Sequence, residues 1–208
     1  MTLHPPTPPP AAPSLTALPP PPRYDLWPIA MQHAMKLRGA LIACGPGMRG
    51  AAWPDTACVR LVALGPWLGT GLCASHLTAA WVWSAAEHPG PPLSIAALPG
   101  RHGVTRVAGG VRRHELRLQP ADCASFEELR VTLPLRTALD LLHDPVSFEH
   151  RHAGAVAALV AMQPGGAESV RRRLQEHRRP HRRLAEQRLG AILARDRLHP
   201  AAPALDSA

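Results

Sequence analysis

The sequence predicts an α+β protein in which helices pack on a small, mostly antiparallel sheet, with a disordered proline-rich N-terminus and a basic helical C-terminal region. Two observations lead to this class: a segment that joins a strand to a helix, and helical patterns in the C-terminal part of the chain. Residues 131–142, VTLPLRTALDLL, join a strand-forming run to a helix. Pro134 suits the first position of that helix, where a missing N–H costs no hydrogen bond. The apolar residues that follow recur every three or four positions, and residues 146–198 continue with helical patterns.

The N-terminal part divides into a tail and a short helical segment. Residues 1–22 contain ten prolines and no acidic residue. Such a composition cannot build a packed core, so we expect residues 1–23 to be a disordered tail. Residues 29–37 follow Pro28 and favour one short helix.

The middle of the chain is predicted to alternate helices with strands. Residues 56–64 favour a helix, and Ser75 is placed to cap a second helix over 76–86, its hydroxyl accepting an early backbone N–H. Four segments favour strands, namely 93–98, 105–107, 111–118 and 128–133. Gly109 and Gly110 predict a tight hairpin between the second and the third of them.

Three helices are expected in the C-terminal region, at residues 146–162, 168–179 and 181–198. The glycines and Pro164 at 164–166 break the chain after the first helix, and Pro180 ends the second. The last helix turns its apolar residues inward and its arginines outward. Residues 200–208 are expected to be disordered.

Charge is the strongest functional signal in the composition. The chain has a formal charge of +8 and a pI near 10.8, so its surface attracts polyanions. Between residues 171 and 183, seven arginines accompany a single acid, Glu176. Arginine-rich segments bind phosphates with little sequence specificity. We therefore expect DNA phosphates to be contacted by Arg171, Arg172, Arg173, Arg178, Arg179, Arg182 and Arg183; the alternative is that they form a solvated helix face.

A secondary basic patch is predicted around the turn at residues 99–103. It would combine Arg101 with Arg106, Arg112 and Arg113, since guanidinium forks pair with phosphate oxygens. The alternative is an ordinary solvated hairpin, because isolated surface charges are common.

Several other classes of function have no support. The four cysteines are separated by 14, 15 and 50 residues, unlike zinc or redox motifs, and we interpret them as free thiols in a reducing cytoplasm. The twelve histidines fit no zinc-enzyme spacing, so we expect no metal, no cofactor and no catalytic residue. Residues 61–86 carry no charge, but glycines and Pro66 interrupt them, and we expect no membrane span.

Four segments together resemble a known family. They are residues 74–81 (ASHLTAAW), 99–103 (PGRHG), 118–122 (LQPAD) and 131–142. Their order is similar to that in the C-terminal domain of the AbiEi-type abortive-infection antitoxins, in the form common in high-GC actinobacteria. The resemblance covers roughly residues 36–198. Its signature positions are Ser75, His76, Pro134, Arg136, Thr137 and Asp140, which we interpret as structural, with Arg136 and Asp140 forming an ion pair one helical turn apart.

The resemblance implies a domain organisation. Residues 24–55 would be the remnant of a winged helix, a short strand pair with a glycine turn that lacks the helices expected to read DNA. Residues 56–163 would be the antitoxin core, and residues 164–199 a basic helical tail. Many relatives continue into an endonuclease-like domain that this sequence lacks, so we expect no nuclease activity.

One position departs from the family pattern. Leu133 stands where serine or threonine usually precedes the proline of the signature. A leucine cannot cap the helix, and the loss would cost about 1 kcal/mol unless Thr132 substitutes.

The resemblance also implies a function. Antitoxins of this family act in type IV toxin–antitoxin pairs, repressing their own promoter and counteracting a nucleotidyltransferase-like toxin without a stable toxin complex. The first hypothesis is therefore a cytoplasmic transcriptional regulator whose partners are promoter DNA and, functionally, such a toxin. The second is a non-enzymatic protein-interaction module, or a decayed paralogue that keeps the fold without specific DNA binding. The incomplete winged helix favours the second, and neither determines the oligomeric state.

Overall fold

A computed structural model describes residues 13–15, 19–99, 110–146, 148–176 and 180–198, with side chains as far as Arg195. The α-helices of these residues are α1 (Ile29–Leu37), α2 (Ala57–Ala63), α3 (His76–Val82), α4 (Pro134–His143), α5 (His150–Ala161), α6 (Gly166–Glu176) and α7 (Arg182–Leu198). The strands are β1 (Leu41–Cys44), β2 (Gly47–Gly50), β3 (Leu72–Ala74), β4 (Leu93–Ala97), β5 (Val111–His114), β6 (Cys123–Phe126) and β7 (Leu129–Thr132). Short 3-10 turns cover Tyr24–Leu26 and Pro120–Asp122.

The main sheet is mixed rather than purely antiparallel. Its five strands follow the order β5-β4-β3-β7-β6, and β1 and β2 form a separate hairpin. Neighbours are antiparallel in β1–β2, β3–β4 and β6–β7, and parallel in β3–β7 and β4–β5. The α+β class is confirmed; the main sheet has two antiparallel and two parallel pairs, and the separate β1–β2 hairpin adds a third antiparallel pair.

The parallel pairing of β4 with β5 was not expected from the sequence. β5 begins at Val111 beside Leu93, the first residue of β4, so that the two strands run in the same direction. Gly110 lies just before β5, and its carbonyl oxygen accepts a hydrogen bond from Leu93 N at 2.8 Å. The predicted strand at 105–107 and the hairpin at Gly109 lie outside the described residues.

Local signals located most helices but missed the shortest strands. α4 begins at Pro134 as predicted, and the three C-terminal helices begin within four residues of their predicted starts. β3 and β6 have only three and four residues, too few to show an alternating pattern. α3 ends at Val82, four residues early, and Ser84 then adopts a left-handed φ of 61°.

Two apolar clusters join the layers. The first lies between the sheet and α2 and includes Leu61, Leu64, Leu72, Ile95 and Val131. The second joins α3 to the C-terminal helices and includes Leu142, Val156, Leu159, Leu174 and Leu189. All seven residues of α3 are buried, because this helix contributes side chains to both clusters.

Part of the predicted N-terminal tail contacts the sheet. Leu15 N donates to Ser125 O at 2.7 Å, and Ser125 N donates to Pro13 O at 3.0 Å. Ser14 thereby forms a parallel bridge on the outer edge of β6. Residues 1–12 and 16–18 of the tail lie outside the described residues.

Candidate nucleic-acid interface and adjoining cleft

The arginines of the predicted DNA-binding cluster lie on α6 and at the start of α7. Arg171 and Arg172 are exposed on α6, as are Arg182 and Arg183 on α7, and Arg173 is half-buried. Val170 and Leu174 turn into the core from the same helix, so the amphipathic pattern directs the arginines outward. We call these five residues the arginine surface. Arg178 and Arg179 lie outside the described residues.

Acidic neighbours offset part of this charge. Arg171 lies 3.7 Å from Glu168, Arg173 lies 2.9 Å from Glu176, and Arg182 lies 2.8 Å from Glu186. Glu168 and Glu186 lie just outside residues 171–183. The presence of a single acidic residue within that range therefore overstates the positive charge of this surface. Among the described residues, Arg172 and Arg183 have no ion pair. They are the members best placed to contact an external phosphate.

The secondary patch is described only in part. Arg112 and Arg113 are exposed on β5, which is an edge strand of the sheet. Arg101 and Arg106 lie outside the described residues. The structure therefore places two of the four predicted members on one short strand.

The signature pair forms the centre of a buried network. Arg136 Nε donates to both carboxylate oxygens of Asp140 at 2.9 Å, and its Nη1 donates to Asp122 Oδ2 at 2.7 Å. The same Nη1 also donates to the carbonyl of Arg117 at 3.1 Å. The network connects α4 to the 3-10 turn before β6 and to the segment that follows β5. The sequence predicted the helical pair but not Asp122, which lies 14 residues away.

Neither α3 nor α4 has a side-chain cap at its N-terminus. Leu133 makes no side-chain cap to α4, and the Thr132 hydroxyl contacts the Thr137 hydroxyl at 2.7 Å rather than a backbone N–H of the helix. Ser75 occupies the N-cap position of α3, but its hydroxyl contacts His76 Nδ1 at 3.2 Å and caps no N–H. Thr132 therefore does not substitute for the cap that Leu133 cannot provide. The expected capping by the Ser75 hydroxyl is wrong, because this hydroxyl contacts the His76 ring instead.

His76 is held in an unusual conformation. It is the first residue of α3 and has a φ of 47°, a left-handed value that non-glycine residues seldom adopt. Its side chain is buried, and its ring stacks on that of His114 with centroids 3.8 Å apart. The sequence gave no reason to bring these two histidines together, since they lie on α3 and β5.

Both stacked histidines are kept neutral. Burial lowers the pKa of His76 to about 4, and burial together with the neighbouring His76 lowers the pKa of His114 to about 4. The Nε2 atom of His114 is buried, with no hydrogen-bond partner in the described part of the chain. A buried polar atom of this kind is uncommon in folded proteins and calls for an explanation.

A cleft separates the sheet edge from the arginine surface. It consists of two cavities, of about 420 and 650 Å³, which share Arg117, Arg136 and His143 in their walls. The smaller cavity is also lined by Arg173, and the larger by His76, His114 and His181. We call the two cavities together the Arg117 cleft. One wall is the segment after β5, and the other combines α6 with Pro180 and His181, just before α7.

The cleft was not predicted from the sequence. Its floor and walls come from segments that are distant in sequence, so no local spacing marks them. Only the signature positions of the family resemblance pointed to it in part, because His76, Arg136 and Asp140 all line the larger cavity.

Within the described ranges, no group of three or more histidine, cysteine or acidic side chains is arranged to hold a metal ion. The four cysteines are free and buried, and Cys73 Sγ lies 3.6 Å from Cys123 Sγ. None of the described helices has the length and apolar character needed to cross a membrane.

No protein-family model, curated protein or solved structure matches the chain significantly.

Proposed function

We propose that the protein is an antitoxin-like, non-enzymatic transcriptional regulator that contacts DNA phosphates through the arginine surface. The observation that supports this most directly is the outward display of Arg172 and Arg183 on two packed helices. Neither has an ion pair among the described residues, so neither must give up a partner to bind a phosphate. The promoter target and the link to a nucleotidyltransferase-like toxin depend on the family resemblance.

Salt-dependent DNA binding tests the phosphate contacts. Fluorescence anisotropy would be measured with duplex DNA from the gene's own upstream region and with a scrambled duplex, across a series of salt concentrations. We expect Arg172→Ala/Arg183→Ala to weaken binding to both duplexes and to lower the salt slope by about 2, because each lost phosphate contact removes about one released counterion.

The matched control is Arg151→Ala. Arg151 is an exposed arginine on α5, away from the arginine surface in sequence, and it lies 3.0 Å from Glu149. The control variant should bind like the wild type. Absence of DNA binding by the wild type, or an equal loss in all variants, would overturn the proposed contacts.

Coexpression tests the antitoxin role separately. Cells that carry the toxin gene adjacent to this one should grow when the protein is present and stop growing when it is absent. Continued growth arrest with normal protein levels would overturn the antitoxin assignment while leaving DNA binding in place.

One observation favours the alternative of a protein-interaction module. α1 has no buried residue, and Ile29, Met31 and Leu37 on it are 70%, 51% and 90% exposed. Exposed apolar groups clustered on one helix are typical of a protein contact. Tight DNA binding by the wild type would favour the regulator over this alternative.

A further inference from the structure

Two residues that line the larger cavity of the Arg117 cleft have unusual features. His76, the first residue of α3, adopts a left-handed φ of 47°. Strained backbone of this kind concentrates at ligand sites, where the surroundings hold it in place. The Nε2 atom of His114 beside it is buried and has no hydrogen-bond partner in the described residues.

The size of the cleft limits what can enter it. Cavities of about 420 and 650 Å³ fall within the range of small-molecule sites, about 300 to 1,000 Å³. A DNA duplex cannot place a paired base in such a cavity, because its base edges are stacked inside the helix. A single nucleotide can enter, and its base edge and ring faces are then available for contact.

The charges along the cleft differ from place to place. Arg117 lines both cavities and has no ion pair within the described ranges. Its guanidinium can therefore donate hydrogen bonds to a phosphate. The larger cavity also presents the carboxylates of Glu115 and Asp144. Carboxylates repel phosphate but accept hydrogen bonds from the amino and imino groups of a base. A ligand with one anionic end and one polar heterocyclic end matches this arrangement.

We propose that the Arg117 cleft is a nucleotide-binding site, in which the base lies toward His114 and the phosphate lies toward Arg117. This site is distinct from the phosphate contacts of Arg172 and Arg183 and does not depend on them. Arg173 lines the smaller cavity and belongs to the arginine surface, so an occupied cleft lies directly beside the DNA contacts. The nucleotide can be a free nucleoside monophosphate or an unpaired nucleotide within a strand.

Calorimetry on the full-length protein tests the proposal. The probes are AMP, GMP, CMP and UMP, each up to about 1 mM, with a short single-stranded oligonucleotide and the duplex of the same sequence as separate arms. We expect saturable binding of at least one monophosphate, or of the single strand in preference to the duplex. The first outcome identifies a free nucleotide as the ligand, and the second an unpaired nucleotide within a strand.

Two variants and one control locate the site. Arg117→Ala removes the phosphate contact, and the backbone carbonyl of this residue still accepts from Arg136. His114→Phe keeps the aromatic ring but removes Nε2. Each should weaken nucleotide binding about tenfold or more, whereas Arg151→Ala on α5, outside both cavities, should leave it unchanged. Thermal melting checks that each variant is folded.

Two results would overturn the proposal. One is the absence of saturable binding by all four monophosphates together with equal binding of single strand and duplex. The other is nucleotide binding that neither Arg117→Ala nor His114→Phe weakens. Both differ from failure of the proposed DNA contacts, which would appear as loss of duplex binding or as insensitivity to Arg172→Ala/Arg183→Ala.

Discussion

The guanidinium of Arg136 and the carboxylate of Asp140 form an ion pair that is almost completely buried, with side chains 5% and 1% exposed. The two residues are one helical turn apart. On most helices, an ion pair at this spacing lies on the solvent-exposed face. Here Asp122 adds a second carboxylate to the same guanidinium from outside the helix. The Arg136–Asp140 pair lies within α4, and the Arg136–Asp122 contact connects this helix to the turn before β6.

Breaking this pair should destabilise the fold strongly. Asp140→Ala leaves a buried guanidinium without its main partner, and we expect a loss of about 3–5 kcal/mol in the free energy of unfolding. Urea denaturation followed by circular dichroism measures the change. The double replacement Arg136→Met/Asp140→Leu should cost less than Asp140→Ala, because it removes both charges of the pair, and the remaining Asp122 is 19% exposed and still accepts from Gln119 N.

α7 provides a matched control at the same spacing. Arg182 and Glu186 form an ion pair one turn apart with side chains 43% and 40% exposed. Glu186→Ala should change the free energy of unfolding by about 0–1 kcal/mol, since exposed pairs are screened by water. Equal effects of Asp140→Ala and Glu186→Ala would contradict the role assigned to the buried pair.

The stacked histidines should make stability depend on pH. Their pKa values are about 4 in the folded protein and about 6.5 in the unfolded chain, so unfolding takes up protons between these limits. The stabilising effect of the neutral rings is complete above pH 6.5 and is lost as the pH falls toward 4. Each proton taken up changes the unfolding free energy by about 1.4 kcal/mol per pH unit.

His114→Phe isolates this contribution. The variant has one fewer histidine to protonate on unfolding, so its unfolding free energy should fall less steeply than that of the wild type between pH 6.5 and 4. Thermal and urea melts at several pH values would give the two slopes. Identical slopes would show that His114 is not held neutral by burial.

Two glycines should respond oppositely to alanine. A Cβ on Gly47 would lie 2.1 Å from the carbonyl oxygen of Ala63, which is backbone and cannot move aside cheaply. Gly47→Ala should therefore lower the melting temperature and displace the β1–β2 hairpin from α2. Gly154 lies exposed in α5 with nothing within 4 Å of an added Cβ, and Gly154→Ala should stabilise the helix by about 0.5–1 kcal/mol. Destabilisation by both changes would contradict the packing described here.

The cysteines should be chemically silent in the folded state. All four are buried, and burial raises the pKa of the Cys44 and Cys58 thiols to about 11. Reaction with a thiol reagent such as DTNB should be slow in native buffer and complete for four thiols in denaturant. Rapid modification of even one thiol in native buffer would show that its segment opens.

The sequence predicted the elements better than their arrangement. The start of α4 and the approximate positions of α5, α6 and α7 were predicted, because proline and apolar periodicity act within a few residues. The short strands β3 and β6 and the parallel pairing of β4 with β5 were not, because strand neighbours are chosen by contacts far along the chain. For the candidate site, the arginine-rich helices were found, but their acidic neighbours and the Arg117 cleft were not.

The sequence by itself determined the α+β class, the helix that Pro134 begins and the excess of arginine on the C-terminal helices. These properties follow from composition and local periodicity, which need no knowledge of the remaining chain. Only the tertiary structure decided that Arg136 and Asp140 are buried with Asp122, that His76 stacks on His114, and that a cleft adjoins the arginine surface. The physical reason is that burial and side-chain contact depend on which distant segments pack together, and this packing is determined by all the contacts of the core together.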